Sequence, residues 1–115
     1  MKLVEKFKCA FSGLAHGINQ GSILLQLGLG LSAIAVFGLI GISYNEWLAV
    51  LIMIALVLLA EWLNSIIELT VDYISLKWDL RAKEIKDLSA GMVLLICIFA
   101  LAIGLIILFR NLYWR

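Results

Sequence analysis

Residues 61–72 read EWLNSIIELTVD and stand at the end of a long apolar run that begins at Trp47. A carboxylate is costly at membrane depth, so acidic residues in such a run indicate a functional site. On a helix that turns about 100° per residue, the polar members fall within an arc of roughly 80° and span about 16 Å along the axis. These residues, here called the polar stripe, are Glu61, Asn64, Glu68 and Asp72. The stripe must face other protein, a water-filled cavity or a ligand.

The composition of the chain is that of an integral membrane protein. Of its 115 residues, 64% are hydrophobic and 15% are charged, and the mean hydropathy of +1.10 lies far outside the range of soluble domains. The length predicts a single domain over residues 1–115. The net charge of +1 gives no reason to expect a nucleic-acid partner. Cys9, Cys97 and His16 lack the spacing of a zinc site, and we expect no disulfide.

The hydropathy pattern predicts an all-α membrane protein with a surface helix and three transmembrane helices. In residues 1–19, apolar residues recur at helical spacing against three lysines, which is typical of an amphipathic helix in the membrane interface. Apolar runs of about twenty residues, enough to cross a bilayer, follow at about 22–42, 47–67 and 88–109. We expect the second helix to continue to about Ser75 and a charged loop to occupy residues 77–87.

Basic residues are distributed unevenly around these spans. There are three in the N-terminal arm, none in the 43–46 turn, four in the 77–87 loop and two after the third span. Because cytoplasmic loops carry an excess of lysine and arginine, the N-terminus and the charged loop are predicted to lie inside. The polar stripe would then open towards the cytoplasm.

The stripe and the charged loop together suggest phosphate chemistry. Paired carboxylates beside a lysine are what a divalent metal and a phosphate group require together. The pattern therefore favours a site where a soluble polyphosphate meets a membrane-dissolved alcohol. Buried glutamates also serve in proton relays, so a small proton-coupled exporter is an alternative. That alternative is disfavoured because such exporters usually have four spans and place their glutamate in the first.

The stripe is also half of a two-part motif. Its first part is Glu61-x-x-Asn64-x-x-x-Glu68-x-x-x-Asp72, and its second is Ala82-Lys83-x-x-Lys86-Asp87-x-x-Ala90-Gly91. Together with Ala10-Phe11-Ser12-Gly13-Leu14 and Ser43-x-x-Glu46-Trp47, this pattern resembles the prokaryotic diacylglycerol kinase and undecaprenol kinase family over nearly the whole chain. The resemblance implies a homotrimeric helical bundle in the bacterial cytoplasmic membrane, with active sites shared between subunits. It also implies transfer of the γ-phosphoryl group of ATP to a lipid alcohol, with Mg²⁺.

The resemblance assigns chemical roles to the stripe. It implies that Glu61 takes the proton from the lipid hydroxyl and that Asn64 orients groups beside this base. It implies that Glu68 holds Mg²⁺ on the phosphates of the nucleotide, with Asp72 as a weaker metal candidate. For Asp72, simple charge satisfaction at a helix end is the alternative interpretation.

The resemblance places the nucleotide on the charged loop. Lys86 and Asp87 would engage the nucleotide, Lys86 through its phosphates, although Asp87 could also serve only to satisfy charge at a helix end. The segment Lys77-Trp78-Asp79 aligns loosely with a loop that contacts the nucleotide. On this hypothesis the active site lies on the cytoplasmic side of the membrane.

Two positions depart from the family pattern. The family has a second metal-binding glutamate before the first span, but no acidic residue occurs between Lys6 and Asn45, and Gln20-Gly21 occupies the equivalent place. An amide oxygen binds Mg²⁺ more weakly than a carboxylate. Cys9 stands where the family often has a tyrosine. Two hypotheses stay open: an active kinase with Gln20 as a loose metal ligand, or an inactive relative that binds lipid or nucleotide. Ala90-Gly91 favours undecaprenol over diacylglycerol as the substrate.

The topology can be tested with reporter fusions. A reporter at Arg115 should be exposed outside and one within residues 77–87 should be cytoplasmic, because the basic residues cluster around the latter. Activity of both reporters on the same side of the membrane would exclude three spans.

Overall fold

Four α-helices make up almost all of the chain, in a computed structural model that describes residues 2–114. The helices are α1 (Leu3–Ile18), α2 (Gly21–Ile40), α3 (Tyr44–Ile74) and α4 (Leu80–Tyr113). Three of them, α2, α3 and α4, are long and apolar enough to cross a membrane. The predicted all-helical class with three candidate spans is thus confirmed, whereas the position of α1 at the membrane surface stays a prediction. Met1, the first residue of the predicted surface segment, and Arg115, the last residue of the tail, lie outside the described residues.

The chain reverses between α2 and α3 within residues 41–43. Gly41 has a φ of 77°, which glycine adopts without the strain a side chain would bring. Ser43 then begins α3 with a capping box: its Oγ accepts from the Glu46 N–H at 3.3 Å, and its own N–H donates to Glu46 Oε1 at 3.0 Å. This reciprocal pair fixes the start of the helix that carries the polar stripe.

The start of α4 corrects the expected charged loop at 77–87, because the helix begins at Leu80. Asp79 caps it, with Oδ1 accepting from the Arg81 N–H at 2.9 Å. One turn further on, Lys83 and Asp87 form an ion pair of 2.6 Å at the i,i+4 spacing that supports a helix. The density of charge suggested a loop, but capping and pairing favour helix here. The α3–α4 connection is therefore confined to residues 75–79.

Helix α4 returns antiparallel along α3, and α2 packs on α3 from another side. Near the α2–α3 turn, the three helices enclose a small apolar core of Phe37, Val50 and Ile107. Most other large apolar side chains are exposed. Such a surface suits contact with lipid or with further copies of the chain.

Helix α1 meets α3 at one close contact. Gly17 is buried against the indole ring of Trp62, so closely that a Cβ at Gly17 would lie 2.0 Å from ring atoms. Only glycine permits this approach. The contact brings the end of α1 to the turn of α3 that carries Glu61.

We expect Gly17→Ala to weaken the packing of α1 on α3, because the new methyl group collides with a rigid ring. Overpacking of this kind costs roughly 1–3 kcal/mol, and the Tm in detergent should fall. Gly13→Ala is the matched control, since a Cβ there meets nothing within 4 Å and alanine favours helix. Equal Tm values for the two variants would contradict the close contact.

Candidate functional site

The polar stripe runs along α3 from buried to open surroundings. Glu61 and Asn64 are 7% and 9% exposed, respectively. Glu68 and Asp72, nearer the end of the helix, are exposed. The stripe therefore connects a buried end inside an apolar helix with the solvent-facing connection between α3 and α4.

The carboxylate of Glu61 is buried but not sealed. Among residues 2–114, this carboxylate has no bonding partner. Every completely buried side-chain oxygen in that range does have a hydrogen-bond partner. The Glu61 oxygens are therefore not completely enclosed by the chain. A carboxylate in that position is available to accept a proton from a bound molecule.

Asn64 is held between two other side chains. The Ser89 hydroxyl on α4 donates to Asn64 Oδ1 at 2.6 Å, and this bond is buried. Asn64 Nδ2 in turn donates to Glu68 Oε1 at 3.3 Å. Ser89 was missed by the sequence analysis, where it was one small residue in an apolar run. Its position three residues after Lys86 was the available signal, since that spacing places both on one helix face.

Lys86 and Asp87, the two residues on α4 that were predicted to bind the nucleotide, both form ion pairs. Lys86 Nζ lies 2.5 Å from Asp72 Oδ1, which joins the open end of the stripe to α4. Asp87 pairs with Lys83. Both pairs are largely exposed, and exposed pairs contribute only about 0–1 kcal/mol. A polyphosphate could therefore displace Asp72 from Lys86 at small cost.

The weakly assigned segment Lys77-Trp78-Asp79 lies in the α3–α4 connection and is exposed. The Asp79 carboxylate caps α4, and the Lys77 carbonyl accepts from the Ser75 hydroxyl at 2.9 Å. These bonds give the two residues structural roles in the connection. A nucleotide contact by this segment stays a prediction.

Metal ligands do not converge within the part of the chain that the structure describes: no three His, Cys, Asp or Glu side chains form a cluster there. Gln20 is exposed at the N-cap of α2, and its side chain has no bond to the polar stripe among residues 2–114. Mg²⁺ is commonly held by one or two carboxylates together with substrate phosphates, not by a protein cage. Glu68 has the chemistry for that mode, and coordination by Glu68 and by Gln20 both stay predictions.

A second polar cluster lies at the opposite end of the α3–α4 pair. Glu46 is 9% exposed and sits 2.9 Å from Arg110 Nη1. Asn111 Nδ2 also donates to Glu46 Oε2 at 3.0 Å. Glu61 lies fifteen positions further along α3, about 22 Å from Glu46 along the helix axis. The cluster thus joins α3 and α4 at their far end. The sequence did not indicate this role, because Glu46 was placed in a turn and Arg110 in the C-terminal tail.

Comparisons with known proteins agree with the motif. The model of the prokaryotic diacylglycerol kinase family matches residues 8–108. The undecaprenol kinase of Bacillus subtilis (strain 168) is 38% identical over 69 residues, which make up 60% of this chain and 56% of that relative. The match thus spans little more than half of the relative's length.

Proposed function

Because the chain belongs to the prokaryotic diacylglycerol kinase family, we propose that it phosphorylates a membrane lipid alcohol with ATP. The observation that carries this proposal is the polar stripe: Glu61 is buried and has no partner among residues 2–114, and Glu68 precedes by one helical turn the Asp72 that pairs with Lys86. A deep carboxylate can meet a lipid hydroxyl, and the open end can meet a soluble nucleotide. A proton relay would also need a buried carboxylate, but it would not need a lysine at the open end of the stripe.

In the proposed reaction, the lipid hydroxyl oxygen attacks the γ-phosphorus of ATP. The bond from that phosphorus to the β–γ bridging oxygen breaks, and ADP leaves. Glu61 takes the proton of the hydroxyl, with Asn64 orienting groups beside it. When bound, Mg²⁺ supplies neutralisation of the phosphate charge. Glu68 is the residue that would hold it.

Lys86 has two possible partners in this scheme. Without nucleotide it pairs with Asp72. With nucleotide bound, we propose that its ammonium turns to the phosphates, since a polyphosphate presents more negative charge than one exposed carboxylate. Asp87 would contribute to the same nucleotide site, and Asp72 would then be free to support the metal.

We propose that the protein works as a homotrimer in the bacterial cytoplasmic membrane, with its sites facing the cytoplasm. Two observations support partner subunits: most large apolar side chains are exposed, and the buried Glu61 carboxylate has no bonding partner among residues 2–114. At membrane depth an unpaired carboxylate is costly, so a neighbouring chain is a suitable cover. The number of subunits and the shared sites come from the family resemblance.

The lipid and the level of activity distinguish two versions of the proposal. The relative's name, undecaprenol kinase, and the Ala90-Gly91 ending favour undecaprenol over diacylglycerol. A second candidate function is a weakened or inactive kinase that binds lipid or nucleotide. It is favoured by the neutral Gln20-Gly21 segment, which stands where the family has a metal-binding glutamate.

The proposal is tested with purified protein, labelled ATP and either undecaprenol or diacylglycerol. We expect phosphorylated lipid and, for Glu61→Gln, a turnover reduced by on the order of 100-fold or more, because the amide cannot accept the proton. ATP binding should change little, since Glu61 lies at the buried end of the stripe. Near-normal turnover of Glu61→Gln would make Glu61 a structural residue, and no phosphorylation of either lipid by the wild type would refute the kinase.

The metal requirement tests the role of Gln20. If Gln20 is a ligand, Gln20→Glu should lower the Mg²⁺ concentration for half-maximal turnover and Gln20→Ala should raise it, because a carboxylate binds Mg²⁺ better than an amide. If the wild type is inactive for want of this charge, Gln20→Glu or Gly21→Glu should create activity. A wild type that is active at ordinary Mg²⁺ and indifferent to all three changes would place the metal elsewhere.

A further inference from the structure

Ser89 behaves unlike two other hydroxyl residues inside the long helices. Ser32 and Thr70 each donate to the carbonyl four residues earlier, at 2.8 Å to Gly28 and 2.7 Å to Ile66. This local bond is the usual choice of a hydroxyl in the middle of a helix. The Ser89 hydroxyl instead reaches across to α3 and donates to Asn64 Oδ1 at 2.6 Å. Ser89 is 5% exposed, so the bond is shielded from solvent.

The bonds from Ser89 to Glu68 have a fixed direction. An ionised carboxylate only accepts hydrogen bonds, so Glu68 requires the NH₂ end of Asn64. The oxygen end of the amide then points to Ser89, whose hydroxyl must donate. Rotation of the amide by half a turn would bring its oxygen against the carboxylate. Glu68 therefore sets the orientation of the Asn64 amide, and the Ser89 hydroxyl anchors the oxygen end of that amide to α4.

We propose that Ser89 is a positioning residue that acts through Asn64 on Glu68. Its bond locks the Asn64 amide, and the amide holds Glu68 Oε1, which leaves the second carboxylate oxygen for a divalent cation on the ATP phosphates. This inference rests on the proposed function, because it takes Glu68 as the metal-binding carboxylate. Without the Ser89 hydroxyl, Asn64 Oδ1 loses its buried donor, and the amide is then held only through its bond to Glu68.

A purely structural role is the competing explanation. Hydroxyl and amide groups also join transmembrane helices without any effect on a ligand. In that case the loss of Ser89 would lower the stability of the α3–α4 pair and leave cation binding unchanged. The two explanations differ in whether the loss of Ser89 changes the Mg²⁺ concentration that the protein requires.

The test compares Ser89→Ala with Ser32→Ala, a matched control that removes a hydroxyl bonded within its own helix. Thermal unfolding of each protein in detergent is followed during titration with Mg²⁺ at fixed ATP and without lipid, since a ligand that binds the folded state raises the Tm. We expect Ser89→Ala to need about 10-fold more Mg²⁺ for half of the Tm shift, the low end for loss of a group behind a metal ligand. Ser32→Ala should match the wild type.

Two further variants guard against simple misfolding. Ser89→Thr keeps the hydroxyl and should retain most of the Mg²⁺ affinity. In an Asn64→Ala background, Ser89→Ala should cause no further change in the Mg²⁺ requirement, because residues that act through one another are not additive. An additional loss in that background would overturn the proposal.

The outcomes separate this inference from the kinase proposal. An unchanged Mg²⁺ requirement of Ser89→Ala, with or without a lower Tm, would overturn the role of Ser89 even if the wild type phosphorylates lipid. A wild type without any Mg²⁺-dependent Tm shift would overturn it too. A wild type that phosphorylates neither lipid, but whose Mg²⁺ requirement depends on Ser89, would refute the kinase and support the positioning role.

Discussion

The pairing of polar groups between α3 and α4 is the interaction on which the rest of the structure depends. Polar atoms inside a bilayer need hydrogen-bond partners within the protein, because no water is present there to bond with them. The buried Ser89–Asn64 bond joins the helices at one end, and the Glu46 cluster joins them at the other. These bonds fix the register of two helices whose apolar surfaces alone would permit sliding. Glu61 lies between the two ends without a partner in residues 2–114. The register therefore presents an unpaired carboxylate at a defined depth.

Much of the fold was predictable because it depends on composition and periodicity. Apolar runs long enough to cross a bilayer predicted the three long helices that the structure has. Helix geometry alone placed the four members of the stripe on one face. The prediction of a loop over residues 77–87 was wrong in part, since residues 80–87 are helical. That error arose because capping by Asp79 and pairing of Lys83 with Asp87 depend on side-chain geometry that composition does not report.

The candidate site residues could be predicted along one helix but not across two. Glu61, Asn64 and Glu68 were identified from spacing within α3, whereas Ser89 contributes from 25 residues away. A serine in an apolar run gives no sign of its partner until the register of the helices is known. The same holds for Asn111, whose partner Glu46 is 65 residues distant. Sequence spacing reports neighbours on one helix, while the contacts that orient side chains come from tertiary packing.

The missing acidic ligand changes which interactions matter under the proposed function. With a neutral Gln20 and no three-acid cluster in residues 2–114, a cation would depend chiefly on Glu68 and on the phosphates that accompany it. Metal and nucleotide would then bind together, because Mg²⁺ is usually held by one or two carboxylates together with substrate phosphates. In such a site the orientation of one carboxylate has a larger effect than in a site with several. Under the proposed function, the buried Ser89–Asn64 bond would therefore orient Glu68 as well as join two helices.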